Sequence, residues 1–382
     1  MPPPPDSTTT LYVHVPFCVV KCGYCDFNSY VPQREDEFES YLEGLAQELA
    51  LAAPPRRPAS VFIGGGTPTL LDEARFARLL AILAAHVDLA AVGEVTLEAN
   101  PESTTPAKAA LARAAGVNRA SLGAQSFHAS HLQLLDRAHS AAQTEAAFAA
   151  FRAAGFTNLN LDLMFSLPGQ TPAQWQQDLE HALELGPDHL SCYSLTFEPG
   201  TRFFRDLQQG RMRENDDRVD RAMFEFTRAR LADAGFTAYE ISNFAGRGGA
   251  CRHNDHYWLQ GDYVGVGPGA ASHRAGVRST NLKALAAWAD SLRRGLLPVA
   301  SAETLTPRQR AAEALWLGIR RRDGVDLAAI GARLGFAVEE RFAAALRDLQ
   351  ARGWLMYEGS RIRLTTEGIL FANLAGETFL AA

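Results

Sequence analysis

Short apolar runs alternate with amphipathic helical segments over the first half of the chain. Six of these runs read as strands, at residues 11–15, 60–63, 94–98, 119–123, 158–165 and 189–195. Repeated βα units with short connections predict a parallel sheet, either open or curved into a partial barrel. In such folds the chemistry lies in the loops that follow the strands. We therefore expect an α/β fold whose functional residues gather at the carboxyl ends of its strands.

Three of the five cysteines lie in the loop after the first predicted strand. Cys18, Cys22 and Cys25 follow the spacing C-x3-C-x2-C. Three thiolates on one loop can each bind one iron of a [4Fe-4S] cluster and leave the fourth iron without a protein ligand. Zinc is an alternative, but zinc sites usually take four ligands as two C-x2-C pairs, and the sequence has no second pair. Unligated structural cysteines are a further alternative, although three cysteines within eight residues argue against it.

A glycine-rich loop, with Gly65, Gly66 and Thr67, follows the second predicted strand. Consecutive glycines let the backbone approach a ligand without obstruction by side chains. Alone this is weak support for a ligand site, because such turns are common and no Walker lysine follows.

Together, the cysteine loop and the glycine-rich loop resemble those of the radical SAM superfamily. The resemblance implies a partial (β/α)6 barrel and a [4Fe-4S] cluster on the three cysteines. It also implies that S-adenosylmethionine chelates the open iron through its amino and carboxylate groups. Reduction of the cluster would then split the sulfonium and give a 5'-deoxyadenosyl radical.

Further blocks, at residues 97–101, 123–127, 135–139, 160–171 and 192–201, resemble the oxygen-independent coproporphyrinogen III oxidases and their relatives. Matched position by position, they imply a set of residues that contact S-adenosylmethionine. These are Tyr12, Tyr24, Gly65, Gly66, Thr67, Glu98, Gln125, Arg137 and Asp162. From the residues alone, structural roles are open for several of them: Glu98 could cap a helix, Arg137 could form a surface ion pair and Gln125 could bridge strands.

Two departures from the oxidases matter. Their pattern implies another cysteine two residues after the third cluster cysteine, and Phe27 stands there instead. The segment before the cysteine loop is also shorter than theirs. In both features the chain resembles a sister group of the oxidases, the haem chaperones of the HemW type, which carry haem to respiratory proteins. We therefore expect a haem chaperone, with an oxygen-independent coproporphyrinogen III dehydrogenase as the alternative; whether the chain is an enzyme stays open.

The motif CRHNDHYW at residues 251–258 is the other feature of that group. An imidazole is a common axial ligand of haem iron, and Tyr257 and Trp258 offer flat apolar faces to a porphyrin. From the residues alone, His253 and Asn254 could equally hydrogen-bond a loop while the aromatic rings pack. The resemblance of the motif to the HNxxYW pattern implies that His253 binds haem. His256, His273 and Cys251 stay as alternative ligands.

The tail contains predicted helices at residues 307–320, 326–334, 338–352 and 366–380, and two strands at 354–357 and 361–364. This order resembles a winged helix, which is often a DNA-binding module. Mixed charges on the third helix and a net charge of −6 argue against nucleic acid as a partner. The resemblance implies that this domain covers the barrel opening.

The predicted organisation is a disordered leader at residues 1–10, a radical SAM barrel at 11–240, a linking segment with the HNxxYW motif at 241–300, and a C-terminal winged-helix-like domain at 301–382. No apolar run approaches the roughly 20 residues that span a bilayer, and cysteines committed to a cluster need a reducing compartment. We therefore expect a cytoplasmic protein. Its expected partners are haem and haem-acceptor proteins of the respiratory chain; a homodimer and a peripheral membrane contact are left open.

Overall fold

A computed structural model describes residues 8–381 and has a curved parallel sheet at its centre. Six strands pair in sequence order, and each is parallel to the next. They are β1 (Thr10–Val15), β2 (Val61–Gly65), β3 (Val95–Ala99), β4 (Arg119–Gln125), β5 (Leu159–Phe165) and β6 (His189–Ser194). The predicted α/β fold with six parallel strands is confirmed.

Helices connect these strands and cover one face of the sheet. They are α1 (Asp36–Ala52), α2 (Glu73–His86), α3 (Pro106–Ala114), α4 (Ala129–Leu134), α5 (Ala141–Ala153), α6 (Pro172–Glu184), α7 (Arg202–Gln208) and α8 (Asp217–Asp233). Because side chains alternate along a strand, the two faces of the sheet differ in character. On β1, Leu11, Val13 and Val15 are fully buried in the main apolar core. The opposite face carries polar groups such as Glu98 on β3, Ser121 on β4 and Asp162 on β5, and these line a cavity.

Six further strands extend the sheet at both edges, in a region that the sequence pattern left without strands. Beyond β1 lie β9 (Tyr263–Val266), β10 (Ala271–Arg274), β11 (Val277–Asn281) and β12 (Val299–Thr304); beyond β6 lie β8 (Asn243–Ala245) and β7 (Thr237–Ala238). Apart from β9, which runs parallel to β1, these strands pair in antiparallel fashion. The sheet is therefore mixed. Helix α10 (Leu285–Arg293) packs on α1.

Helix α9 (Arg252–Trp258), which contains the HNxxYW motif, closes the amino ends of the strands. Glu94, directly before β3, accepts hydrogen bonds from the backbone N–H groups of Arg252 and His253, both at 2.9 Å. Ser60, directly before β2, hydrogen-bonds with the His253 ring. Since the cysteine loop follows β1, α9 lies at the opposite end of the sheet from the cysteines.

The tail forms its own apolar core. Its elements are α11 (Pro307–Gly318), β13 (Val325–Asp326), α12 (Leu327–Leu334), α13 (Val338–Arg341), α14 (Ala343–Ala351), β14 (Leu355–Glu358), β15 (Arg361–Leu364) and α15 (Ala372–Ala381). The helix predicted over residues 338–352 is two helices, because the backbone bends at Phe342, whose ring is buried in this core.

The tail joins the barrel through α9 and the residues that follow it. Arg321 forms an ion pair with Asp255, and the Gln260 side chain donates a 3.0 Å hydrogen bond to the Arg310 carbonyl. These contacts place the tail at the amino ends of the strands. The expectation that it covers the barrel opening is therefore wrong.

At the start of the chain, residues 1–7 of the predicted leader lie outside the described residues, and Thr10 already belongs to β1. Within residues 8–381 no helix is long and apolar enough to cross a bilayer.

Candidate functional site

A cavity of about 380 Å³, which we term the thiol cavity, opens at the carboxyl ends of the six parallel strands. Its lining comes from the strand ends and from the loops that follow them, all between Cys18 and Glu198. The principal lining residues are Cys18, Cys22, Tyr24, Cys25, Phe27, Gly65, Gly66, Glu98, Asn100, Glu102, Gly123, Gln125, Arg137, Asp162, Met164 and Tyr193. The fold thus gathers all three cysteines and seven of the nine residues predicted to contact S-adenosylmethionine around one space.

Backbone hydrogen bonds fix the cysteine loop at both ends. The Cys18 N–H donates to the Tyr30 carbonyl at 3.1 Å, and the Tyr30 N–H donates to the Pro16 carbonyl at 2.9 Å. In the middle of the loop, the Gly23 N–H donates to the Asp136 carboxylate at 2.9 Å. Hydrogen bonds within the protein therefore hold the loop in shape.

The three cysteines are partly buried. Burial raises the pKa of the Cys18 thiol, although a hydrogen bond from the Thr67 hydroxyl, at 3.6 Å, favours the thiolate. Burial also raises the pKa of the Cys22 thiol, and the nearby Arg137 charge opposes that shift. Thiolates at these positions need positive charge beside them, which bound iron supplies.

The three thiols do not converge on a single point. Across residues 8–381, no three His, Cys, Asp or Glu side chains come close enough together to surround one metal ion. A [4Fe-4S] cluster does not require such convergence, because each cysteine binds a different iron of the cube. Because the three thiols line one cavity, the donor set fits a cluster with three cysteine ligands.

Gly66 makes close contact with the cysteine loop. Its N–H donates to the Val15 carbonyl at 2.7 Å, and an added Cβ would lie 2.6 Å from the Phe17 carbonyl oxygen. No side chain fits in that space. The glycine-rich loop thus supports the start of the cysteine loop as well as lining the cavity. A larger residue at Gly66 would displace the cysteines.

Two of the carboxyl groups in the lining of the cavity, Glu98 and Asp162, lie on neighbouring parts of the sheet. Glu98 accepts a 2.8 Å hydrogen bond from the Gly65 N–H, and burial, helped by the charge of Asp162, raises its pKa to about 7. Asp162 accepts hydrogen bonds from Ser121 at 3.0 Å and Asn160 at 2.8 Å, and burial raises its pKa as well. A cationic or hydroxyl-bearing ligand would stabilise the ionised forms of both groups.

Arg137 supplies the buried positive charge of the cavity. Its Nη2 donates to Asn100 Oδ1 at 2.6 Å and to the Gly123 carbonyl at 2.9 Å. Its Nε is buried without a hydrogen-bond partner among the described residues. A buried donor that lacks a partner is costly, so this nitrogen is suited to a carboxylate of a bound ligand.

Asn100 is a site residue that the sequence analysis missed. Its amide nitrogen donates to Thr67 Oγ1 at 2.8 Å, and its oxygen accepts from Arg137. Because Thr67 in turn donates to Cys18, Asn100 links the arginine to a thiol. The sequence signal that could have identified Asn100 is its position directly after a strand, within the block at residues 97–101.

Two of the residues predicted to contact S-adenosylmethionine, Tyr12 and Thr67, do not line the thiol cavity. Thr67 is buried behind Cys18. The Tyr12 hydroxyl is 2.9 Å from His14 Nδ1, and it donates this bond because His14 Nε2 is engaged with the Asn28 carbonyl at 2.8 Å. Contacts of Tyr12 and Thr67 with S-adenosylmethionine stay predictions.

His253 lies at the amino ends of the strands, away from the cysteines. Its Nδ1 hydrogen-bonds with the Ser60 hydroxyl at 2.8 Å, and its Nε2 with the Tyr257 hydroxyl at 3.0 Å. The residue is 1% exposed, and burial lowers its pKa to about 3. Both nitrogens of a neutral ring are thus engaged. Haem ligation by His253 stays a prediction, and it requires the hydrogen bond at the ligating nitrogen to break.

Comparison with known proteins agrees with this geometry. The model of the radical SAM superfamily matches residues 12–182, and that of the HemN C-terminal domain matches residues 305–371. The chain is 41% identical to the heme chaperone HemW of Mycobacterium tuberculosis, covering 99% of this chain and 96% of that protein. It is 34% identical to the heme chaperone HemW of Bacillus subtilis, covering 97% of this chain and 98% of that protein.

A solved structure of similar shape is that of coproporphyrinogen III oxidase, HemN, from Escherichia coli, a radical SAM enzyme. The TM-score is 0.84 at 25% identity, over 97% of this chain and 90% of that chain. The similarity to the two HemW proteins spans the barrel, the linking segment and the tail. The chain therefore belongs to the HemW family of the radical SAM superfamily.

Proposed function

We propose that this protein binds haem and delivers it to acceptor proteins of the respiratory chain, and that it does so in the cytoplasm. The observation that carries the proposal is the similarity to heme chaperones along nearly the whole chain, tail included. A shared barrel alone would not support it, because many functions use one fold.

We further propose that the thiol cavity holds a [4Fe-4S] cluster and S-adenosylmethionine. The thiolates of Cys18, Cys22 and Cys25 would bind three irons of the cluster. The support is the donor set: three thiols and a buried arginine line one cavity of about 380 Å³. A cluster held by these residues would supply one-electron redox chemistry next to S-adenosylmethionine.

The remaining residues of the cavity would bind and orient S-adenosylmethionine. The Arg137 Nε, buried and without a partner among the described residues, would receive the methionine carboxylate. Glu98 and Asp162 would accept hydrogen bonds from the ribose hydroxyls or the amino group. Tyr24, Gly65, Gly66 and Gln125 line the same space and would contact the ligand.

The alternative function is that of an oxygen-independent coproporphyrinogen III dehydrogenase. It is favoured by the similarity in fold to the coproporphyrinogen III oxidase from Escherichia coli over 97% of this chain. Phe27 argues against it: its ring is 59% exposed at the cavity lining, where the oxidase pattern implies a cysteine. A phenyl ring cannot exchange a proton or an electron as a thiol can.

The test uses the full chain, reconstituted with iron and sulfide without oxygen. Haem is titrated while the Soret band is followed, and the loaded protein is then mixed with a haem-free respiratory acceptor. We expect saturation at one haem per chain and transfer to the acceptor. The same preparation, given coproporphyrinogen III, S-adenosylmethionine and a reductant, should form no decarboxylated product. Product formation without saturable haem binding would establish the dehydrogenase instead.

A further inference from the structure

A second cavity, of about 320 Å³, lies between the barrel and the tail. We term it the aromatic cavity, because Tyr12, Tyr257, Tyr263 and Trp316 line it. Its remaining lining includes His273 on β10 and Arg278 on β11. It contains none of the cysteines, and it receives side chains from β1, α9, β9, β10, β11 and α11. Flat apolar walls with few polar groups are typical of sites for small organic ligands.

His273 is the unusual polar group of this cavity. It is 6% exposed, and its Nδ1 lies 3.5 Å from the Asp262 carboxylate. Its Nε2 is buried and has no hydrogen-bond partner among residues 8–381. A carboxylate beside one ring nitrogen orients the imidazole and directs the lone pair of the other nitrogen outward, as it does in metal-binding histidines. An unpartnered buried nitrogen is otherwise a cost to the fold.

His253 provides the contrast within the same region. It belongs to the HNxxYW motif, yet both of its ring nitrogens are engaged, by Ser60 and Tyr257. Tyr257 lines the aromatic cavity, and its hydroxyl is hydrogen-bonded to His253. His253 therefore acts on that cavity by positioning Tyr257. The thiol cavity offers no alternative histidine ligand, since among the described residues its lining includes no histidine.

We propose that the aromatic cavity is the haem site and that His273 is the axial ligand of the haem iron, an inference that rests on the proposed function. The Nε2 lone pair forms the coordinate bond to iron, no electron is transferred, and the Nδ1–H faces Asp262. The rings of Tyr263 and Trp316 pack against the porphyrin. Arg278 lies at the edge of the cavity, where its side chain is 41% exposed and forms ion pairs with Glu303 and Glu313. A haem propionate at this edge would compete with these two carboxylates for the guanidinium.

Haem binding in this cavity requires movement of the tail. The cavity volume is at the lower end of the roughly 300–1,000 Å³ typical of ligand sites. Its walls come from two parts of the chain. Strands β9 and β10 belong to the barrel sheet, whereas Trp316 and Leu317 belong to α11 of the tail. Displacement of α11 from the strands widens the space and exposes His273 Nε2.

The experiment titrates haem into the full-length wild type, His273→Ala and His253→Gln, with His86→Ala, at the end of α2, as the matched control. Absorption and electron paramagnetic resonance report the axial ligand, and circular dichroism reports folding. We expect His273→Ala to lose the histidine-ligated spectrum and about tenfold or more in affinity. Added imidazole should restore that spectrum. His253→Gln and His86→Ala should keep it.

A second variant, Asp262→Asn, keeps the ligand but removes the charge that orients it. We expect it to retain histidine ligation with a weaker affinity, by about tenfold. This variant keeps the inference testable if His273→Ala fails to fold.

The outcomes separate the two proposals. Absence of saturable haem binding in the wild type would overturn the proposed function and this inference with it. Wild-type binding with an unchanged spectrum in folded His273→Ala would overturn the inference alone. Loss of the ligand signal in His253→Gln but not in His273→Ala would assign the iron to His253.

Discussion

The two ends of the barrel differ in how their polar groups are satisfied. At the amino end, Glu94 and Ser60 are bonded to α9, and His253 has partners on both ring nitrogens. At the carboxyl end, Arg137 Nε lacks a partner among the described residues, and two carboxyl groups have raised pKa values. Polar groups that are hydrogen-bonded within the chain stabilise the fold, whereas buried groups without such partners can hydrogen-bond a ligand. The polar groups around α9 therefore stabilise the fold, whereas the unpartnered groups, Arg137 at the carboxyl end and His273 at the amino end, are available to ligands.

The largest expected effect tests the carboxyl end. Cys22→Ala removes one of three iron ligands, so we expect no stable cluster and loss of the broad visible absorption after anaerobic reconstitution. Cys192→Ala, at a buried position on β6 outside the thiol cavity, is the matched control and should retain full iron content. A Cys22→Ala protein with wild-type iron content would refute the ligand assignment.

The amino end is tested by Glu94→Ala. The change leaves the buried N–H of His253 and the N–H of Arg252 without their acceptor, at about 1–3 kcal/mol each. We expect the free energy of unfolding to fall by about 4 kcal/mol in urea denaturation. Iron content after reconstitution should be unchanged.

The control for this variant is Glu145→Ala, whose side chain is half exposed beside His181 and which should cost less than about 1 kcal/mol. A Glu94→Ala protein that lost the cluster but kept its stability would contradict the structural role assigned to Glu94.

Glu98→Gln tests the carboxyl end through pH. The folded pKa of Glu98 is about 7, above its ordinary value of 4.5, so ionisation opposes folding. The contribution of Glu98 to the free energy of unfolding is fully present below about pH 4.5, where its carboxyl group is protonated in both states. As the pH rises towards 7 and beyond, this contribution is lost, and the free energy of unfolding falls by about 3 kcal/mol. We expect the variant to match the wild type near pH 4.5 and to be more stable by up to that amount at pH 8, measured by denaturation without added cofactors.

Glu48 is the matched comparison for Glu98. Burial raises its pKa to about 7 as well, but it accepts hydrogen bonds from Gly267, Asn281 and Trp288. Because an amide cannot accept all of these bonds, Glu48→Gln should destabilise the fold even at pH 8. Equal behaviour of the two variants would remove the distinction between a structural carboxylate and one available to a ligand.

The smallest expected effect is that of Ser60→Ala. It removes one hydrogen bond to a buried His253 nitrogen and should lower the free energy of unfolding by about 1 kcal/mol. Haem affinity should stay the same, because neither Ser60 nor His253 lines the aromatic cavity. A loss of haem binding larger than tenfold would instead favour His253 as the ligand.

Local patterns predicted most of the barrel. The six strands and their helices follow from periodicity and capping, as in α5, where Ser140 and Gln143 form a capping box, and in α6, where Thr171 and Gln174 do so. The cysteine spacing placed the thiols after β1, where the structure has them. These features depend on residues that are near one another in the chain.

Features that depend on distant contacts could not be predicted. The position of α9 rests on its bonds to Ser60 and Glu94, which lie more than 150 residues earlier in the chain. The side of the barrel on which the tail packs depends in turn on α9. Alternation along β1 shows that Tyr12 faces away from the core, but it does not show which of two cavities the ring enters.

The measurement that tests the central claim most directly is the haem affinity of Cys22→Ala, compared with that of the reconstituted wild type by Soret titration. The cysteines and His273 lie at opposite ends of the barrel, in separate cavities. We predict that the variant lacks the cluster but binds one haem with an affinity within about twofold of the wild type. Loss of haem binding together with the cluster, in a protein that still folds, would contradict it and place haem at the thiol cavity.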